Sequence, residues 1–167
     1  GIYKQIHYSK NHNLGFNPED VITLNTISNS GLGNSYNAFK ERLLQHEDIV
    51  SVSGGLWVPP TPSRMAVSIS RPDDPEQKIK LDGLYVDKDF LKTLDIRLLQ
   101  GKTLSDFGDN FENKIIMNET ALLESGLKDP IGKKLNMGEI AGVMEDFHHH
   151  SFKRKIPPLI LIGNKNM

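Results

Sequence analysis

Apolar positions in the first part of the chain change from strand spacing to helix spacing and back. Residues 21–24 and 49–52 are rich in β-branched side chains and predict two strands. Between them, Ser35 can cap a helix that ends near His46. The strand, helix and strand together have the size of one βαβ unit. The helix is expected to bury the face that carries Tyr36, Phe39, Leu43 and Leu44.

The middle of the chain predicts more strands, joined by turns and short helices. Alternating apolar residues at 65–69 and 79–81 predict a hairpin or a meander. Asp87 can cap a short helix that reaches Leu94, and a loop is expected around Gly101. The N-terminal residues have only a thin helical periodicity, so they predict either a short helix or an extended lead-in.

The last third of the chain carries the clearest local signals. Residues 115–117 predict a short buried strand, and Asn118 can cap the helix that follows it. Gly126 stands where a left-handed C-cap residue belongs. Further strands are predicted at 139–147 and, after two prolines, at 159–162. The whole pattern predicts a mixed α/β (α+β) fold.

Composition excludes several classes of protein. Twenty Lys and Arg against 21 Asp and Glu leave a net charge of −1, so charge gives no argument for a nucleic-acid partner or an anionic membrane surface. The lack of cysteine excludes disulfides, thiolate catalysis and cysteine-ligated zinc. The longest apolar run, at 159–162, is far shorter than the roughly 18 residues of a membrane-spanning helix.

The chain lacks the glycine-rich motifs that bind nucleotides. Gly31 and Gly33 begin like a dinucleotide fingerprint, but Tyr36 occupies the third glycine position. We therefore interpret this segment as a flexible loop. No P-loop lysine motif is present, so this chain does not hydrolyse ATP in the way of P-loop proteins. We expect no cofactor.

Three adjacent histidines, His148, His149 and His150, raise the hypothesis of a metal site. In an extended segment only His148 and His150 would converge, and oxygen ligands would have to come from Glu145 or Asp146. A closed site also needs ligands from distant segments, which the sequence does not identify. We interpret the histidines as a solvated strand end and predict no metal site.

Hydroxyl and carboxylate groups show no catalytic spacing. Ser63, Ser68 and Ser70 lack the G-x-S-x-G setting, although a triad assembled in space stays an alternative. The adjacent carboxylates at 73–74 and 145–146 are interpreted as solvated turns. We therefore predict no catalytic residue, and no ATPase, phosphatase or esterase activity of this domain.

A proline-rich loop around the single tryptophan is the best candidate contact surface. An exposed tryptophan in a stiff loop offers a large contact area at a small ordering cost. The alternative is that Trp57 packs into the core of its own domain. The predicted substrate or partner contacts are Leu56, Trp57, Val58, Pro59 and Pro60.

Nine short segments, taken in order, carry a family resemblance. They are LGFN at 14–17, the helical residues 39–44, VSVS at 50–53, VDKDFL at 86–91, LLQGK at 98–102, IIMNETA at 115–121, PIG at 130–132, IAGVMEDFH at 140–148 and IPPL at 156–159. The ordered set spans roughly residues 14–162. It resembles the extracytoplasmic core domain of MacB/FtsX-type ABC transporter permeases, most closely those of the Bacteroidetes type.

The resemblance implies a cell inner-membrane permease whose domain between the first and second membrane helices faces the periplasm. It implies a porter-like subdomain that contains the βαβ unit, and a smaller mixed sabre-like subdomain. In the family the chain usually continues beyond the closing strand, so we expect the porter-like part to be truncated and its sheet to carry an uncovered edge. By position we assign 1–13 to a membrane-proximal lead-in, 14–86 and 156–167 to the porter-like part, and 87–155 to the sabre-like part.

The resemblance also implies partners and a function. The partners are the permease's own transmembrane helices, a cytoplasmic ATPase subunit, and a periplasmic adaptor or a peptide or lipoprotein substrate; the intact permease is expected to be dimeric. The domain would bind or move its substrate or adaptor while separate subunits hydrolyse ATP, without being an enzyme itself. The alternatives are a periplasmic hydrolase and a passive peptide-sensing domain.

Overall fold

The computed structural model describes residues 3–10, 21–27, 35–55, 65–71, 74–146 and 157–166. Within these ranges lie three α-helices and a 3-10 segment, Leu104–Asn110. The helices are α1 (Tyr36–Leu44), α2 (Phe90–Thr93) and α3 (Glu119–Ser125). The strands are β1 (Tyr3–Lys10), β2 (Val21–Ile27), β3 (Ile49–Gly55), β4 (Met65–Ser70), β5 (Lys78–Val86), β6 (Leu98–Gly101), β7 (Lys114–Asn118), β8 (Lys134–Leu135), β9 (Gly138–Met144) and β10 (Leu159–Gly163).

The ten strands of the described residues form one mixed sheet. Its order is β2-β1-β3-β5-β10-β7-β9-β6, with β4 paired to β5 and β8 paired to β9. Strand β1 runs antiparallel to both β2 and β3, so β2 and β3 are parallel and α1 connects them. Strands β5 and β10 are parallel, as are β7 and β9. This mixed architecture confirms the fold class predicted from the sequence.

The sheet is covered on both faces, and β10 shows this most clearly. Ile160 and Ile162 lie in one core cluster together with Ala121 of α3. Leu161 lies in another cluster together with Phe90 of α2. Neighbouring side chains of a strand point to opposite faces, so the two clusters lie on opposite sides of the sheet. Burial on both faces explains why this strand reads as an unbroken apolar run.

The termini of α3 confirm two local predictions. The side-chain oxygen of Asn118 accepts a hydrogen bond from the backbone N–H of Ala121 at 2.9 Å, which caps the helix. At the other end, Gly126 adopts the left-handed conformation with φ of 65°. Its lack of a Cβ atom makes this conformation inexpensive.

The helix proposed as one alternative for the N-terminal residues is wrong. Tyr3–Lys10 is a strand that pairs along most of its length with β2 on one side and β3 on the other. Two ladders of backbone hydrogen bonds outweigh the weak helical spacing of its apolar residues. The loop expected around Gly101 is also wrong, because Gly101 ends a strand that pairs with β9.

Two helix starts differ in detail from their predictions. Ser35 occupies the N-cap position of α1, but its side chain makes no capping hydrogen bond. Helix α2 has Asp89 at its N-cap position instead of Asp87. The last residue of the predicted apolar face of α1, Leu44, is 42% exposed and lies at the end of the helix, so the prediction that it is buried is wrong.

Two groups of strands meet at a single residue pair. Strands β1, β2 and β3 form one group, and the other seven form the second. Among the described residues they are joined in the sheet by the pair Gly55 and Val86, which lie at the C-terminal ends of β3 and β5. The backbone N–H of Asp87 adds a hydrogen bond to the carbonyl oxygen of Gly54 at 3.0 Å. We call this place the strand junction.

Candidate functional site

A polar cluster that is largely shielded from solvent lies at the strand junction. The Tyr36 hydroxyl donates a hydrogen bond to Asp87 Oδ2 at 2.6 Å. Lys40 Nζ lies 2.8 Å from the same oxygen and 2.5 Å from Asp89 Oδ2. The backbone N–H of Asp89 donates to the second carboxylate oxygen of Asp87 at 3.0 Å. We call Tyr36, Lys40, Asp87 and Asp89 the junction cluster.

Local sequence explains how each side of the cluster is placed. Tyr36 and Lys40 are four residues apart on α1, so they share one face of the helix. Asp87 directly follows β5, between the buried side chains of Val86 and Phe90. Gly54 leaves room for the tyrosine ring, since a Cβ atom there would lie 3.0 Å from the ring.

Burial and charge act together on the ionisation of the cluster. Burial raises the pKa of the Tyr36 hydroxyl, and the negative charge of Asp87 adds to this effect. Burial alone would lower the pKa of Lys40, but Asp87 and Asp89 raise it above its ordinary value. Burial raises the pKa of Asp87, although Lys40 and Tyr36 oppose this shift. Near neutral pH the tyrosine is therefore neutral and the lysine is charged.

Stability is expected to fall above about pH 10 because of this cluster. The ordinary pKa values are 10.0 for the Tyr36 hydroxyl and 10.5 for the Lys40 ammonium group, and both are raised in the folded state. The unfolded chain therefore loses these protons first, and the free energy of unfolding decreases by about 1.4 kcal/mol per pH unit for each group. Below the ordinary values their contribution is fully present.

Urea unfolding at several pH values between about 9 and 12 measures this slope for the wild type and for Tyr36→Phe. The phenylalanine variant has no hydroxyl to titrate. Its free energy of unfolding should therefore fall less steeply with pH, by about 1.4 kcal/mol per pH unit. Equal slopes in the two proteins would contradict the assigned role of Tyr36.

Tyr36, Lys40 and Asp87 of the junction cluster form one wall of a cavity of about 340 Å³. The cavity lies at the C-terminal ends of the parallel strands β5 and β10. Ligands of open α/β sheets commonly bind at such strand ends. The lining residues are Tyr36, Asn37 and Lys40 from α1, Asp87 and Lys88 after β5, Asp109 and Phe111 before β7, and Asn164 and Lys165 after β10.

Most site residues predicted from the sequence lie outside the described residues. This applies to the predicted contacts Leu56, Trp57, Val58, Pro59 and Pro60, to His148, His149 and His150, and to Ser63. Ser68 and Ser70 are exposed on β4. In the part of the chain that the structure describes, no three His, Cys, Asp or Glu side chains are grouped so that they could hold a metal ion.

The adjacent carboxylates Glu145 and Asp146 have structural partners. Glu145 lies 3.4 Å from the Arg97 side chain and accepts a hydrogen bond from the Arg97 backbone N–H at 3.0 Å. Asp146 accepts hydrogen bonds from both the hydroxyl and the backbone N–H of Thr120, at 2.7 and 3.1 Å. Each carboxylate therefore ties the end of β9 to a neighbouring element.

Sequence reasoning missed the junction cluster as a site. It assigned Tyr36 to the apolar face of a helix and Asp87 to a helix cap, and gave Lys40 no role. One signal was available: Lys40 lies on the same helix face as Tyr36, where an unpaired lysine would be costly to bury. Its carboxylate partner is 47 residues away and only the fold brings the two together.

None of the helices among the described residues has the length and apolar character needed to cross a membrane.

No family model and no curated protein matches this sequence, but solved structures resemble the chain. The periplasmic region of MacB from Actinobacillus actinomycetemcomitans matches 96% of this chain and 64% of its own, with a TM-score of 0.54 and 12% identity. A domain of a protein assigned as a permease, from Porphyromonas gingivalis, matches 59% of this chain and 45% of its own, with a TM-score of 0.45 and 20% identity. The extracellular domain of the noncanonic ABC-type transporter YknZ from Gram-positive bacteria matches 60% of this chain and 51% of its own, with a TM-score of 0.41 and 14% identity.

The chain therefore has the mixed α/β fold of a solved extracytoplasmic domain. In particular, it shares its fold with the periplasmic region of MacB over nearly its whole length. This confirms, for the fold, the resemblance that the sequence motifs indicated. The chain spans between 45% and 64% of the length of the solved structures it matches.

Proposed function

We propose that this chain is an extracytoplasmic domain of an ABC transporter permease, which moves as a packed body when separate cytoplasmic subunits hydrolyse ATP. The observation that carries the proposal is the fold shared with the periplasmic region of MacB over 96% of the chain. The ordered sequence motifs support the same family. On this proposal the domain lies on the periplasmic side of the inner membrane and is not itself an enzyme.

The packing supports a mechanical role. Both faces of the sheet carry buried clusters, and the central strands β7 and β10 contain side chains with no exposed surface. Such interiors resist compression and transmit displacement. The sequence holds no P-loop, so the energy would come from an ATPase subunit, through the permease's own transmembrane helices.

The loop at residues 56–60 stays our hypothesis for the surface that contacts a substrate or partner. Its composition, with one tryptophan among prolines, favours contact with a periplasmic adaptor, a peptide or a lipoprotein. The division into a porter-like part at 14–86 and 156–167 and a sabre-like part at 87–155 also stays a prediction, as does the dimeric state of the permease.

The location can be tested by cysteine labelling, since the chain has no cysteine of its own. Leu123→Cys, at a position that is 83% exposed on α3, should react with a membrane-impermeant maleimide once the outer membrane is permeabilised. Ser53→Cys is the matched control, because Ser53 is fully buried and the thiol should react only after denaturation. Both variants are made in the full-length parent protein, with other cysteines replaced. Labelling of Leu123→Cys only after inner-membrane lysis would contradict the proposal.

The proposed coupling between domain movement and ATP hydrolysis is tested by cross-linking this domain to the same domain of the second permease subunit. An engineered disulfide between the two should lower ATP hydrolysis and transport, and a reducing agent should restore both. Unchanged activity in the fully cross-linked complex would show that the domain need not move. That result would favour passive peptide sensing instead.

A further inference from the structure

We propose that the cavity beside the junction cluster binds a small anionic ligand through a carboxylate or phosphate group. This inference goes beyond the permease role and does not rest on it. It follows from the charges that line the cavity, from the size of the cavity and from its position in the sheet.

Two of the three lysines that line the cavity are not held by a carboxylate in the described part of the chain. Lys40 is already held by Asp87 and Asp89. In contrast, the ammonium groups of Lys88 and Lys165 have no hydrogen bond or ion pair within the described part of the chain. Outside the junction cluster, the lining therefore holds two lysines, Lys88 and Lys165, against one carboxylate, Asp109. When Asp89 is counted with the junction cluster, the lysines and carboxylates balance, so an anion would be held by these two ammonium groups and not by a net positive charge.

Neutral groups of the lining fit the same kind of ligand. The side chains of Asn37 and Asn164 provide amide donors. The side-chain oxygen of Asn164 accepts the backbone N–H of Asn166 at 2.7 Å, which leaves its amide nitrogen as a donor. Phe111 is buried and adds an apolar wall. Ammonium and amide donors together are suited to carboxylate and phosphate oxygens.

The volume of the cavity and its position in the sheet limit the kind of ligand that it can hold. A volume of about 340 Å³ lies at the lower end of the range for small-molecule sites, so the cavity suits a small molecule or the end of a larger one. The lining comes from both strand groups: α1 packs on β3, whereas Lys88 and Lys165 follow β5 and β10. A bound anion would therefore contact both sides of the strand junction.

Calorimetric titration of the 167-residue chain with two pairs of probes tests the inference. Glycerol 3-phosphate is compared with glycerol, and diglycine with diglycinamide, so that each pair differs in its anionic group. We expect saturable binding of one or both anionic probes and none of their uncharged or amidated counterparts. The pair that responds identifies phosphate or carboxylate as the preferred group. No saturable binding of either anionic probe would overturn the proposal.

Two double variants with the same change in net charge separate this site from general electrostatic attraction. Lys88→Gln with Lys165→Gln should weaken binding by about tenfold or more. Lys78→Gln with Lys80→Gln, at exposed positions of β5, should change it by less than about twofold. Thermal unfolding checks that both proteins fold. Equal weakening in the two double variants would contradict a site in this cavity.

Discussion

Replacing Asp87 by alanine is expected to lower the free energy of unfolding by about 3 kcal/mol. The carboxylate is the shared acceptor for the Tyr36 hydroxyl and the Lys40 ammonium group, and its side chain is only 7% exposed. Its removal leaves the tyrosine hydroxyl without its partner and the lysine, at 14% exposure, with Asp89 alone. Equilibrium unfolding in urea measures the loss.

A partly exposed ion pair in the same protein provides the control. Lys114 Nζ lies 3.2 Å from Glu139 Oε1, and both side chains are much more exposed than Asp87. Glu139→Ala should cost less than about 1 kcal/mol, because water and salt screen such pairs. If Asp87→Ala costs no more than Glu139→Ala, the junction cluster does not contribute to stability in the way that its burial indicates.

Replacing Gly163 by alanine is expected to cost about 3 kcal/mol or more, because the new methyl group has no room. Gly163 ends β10, and a Cβ atom there would overlap the carbonyl oxygen of Phe111. The backbone cannot simply move away, since the Gly163 carbonyl oxygen accepts a hydrogen bond from the N–H of Asn113 at 2.9 Å. Relief of the overlap would break this contact.

Gly126→Ala is the comparison for Gly163→Ala, because it tests the cost of a left-handed backbone without an overlap against another backbone atom. An added methyl group at Gly126 would have the flexible end of Arg71 as its nearest neighbour, at 2.8 Å, and that side chain can shift. The substitution should cost about 1 kcal/mol, which is the penalty of a left-handed conformation for alanine. Urea unfolding of the two variants compares them directly, and a smaller loss for Gly163→Ala than for Gly126→Ala would be the opposite of the expected order.

The strand junction gives the junction cluster its importance. Where a sheet is continuous, each strand is held by a row of backbone hydrogen bonds, but β3 and β5 share one residue pair among the described residues. Side chains then provide much of the contact between the two strand groups. The Ser51 and Thr93 hydroxyls, 2.6 Å apart, add a second buried polar contact between β3 and α2. Substitutions in the junction cluster are therefore expected to change how the two strand groups are positioned against each other, as well as the free energy of unfolding.

Several features of this protein were determined by its sequence alone, because their causes lie within a few residues. Asn118 and Gly126 marked the two ends of α3, since a cap depends on the backbone groups next to it. The hairpin of β4 and β5 followed from alternation on both sides of a short turn. The order of the sequence motifs resembles that of MacB-type domains, and the fold agrees with the periplasmic region of MacB.

Only the tertiary structure decided the features that depend on residues far apart in the chain. Strands β1 and β6 exist because partners from elsewhere complete their hydrogen bonds, which local periodicity does not encode. In β9 a register shift beside Gly142 lets Ile140 and Val143 face the same core cluster, although strict alternation would separate them. Lys40 and Asp87 form a buried pair only because α1 packs against β3 beside the end of β5. Such pairs depend on how whole helices and strands are arranged, so a pattern of neighbouring residues does not predict them.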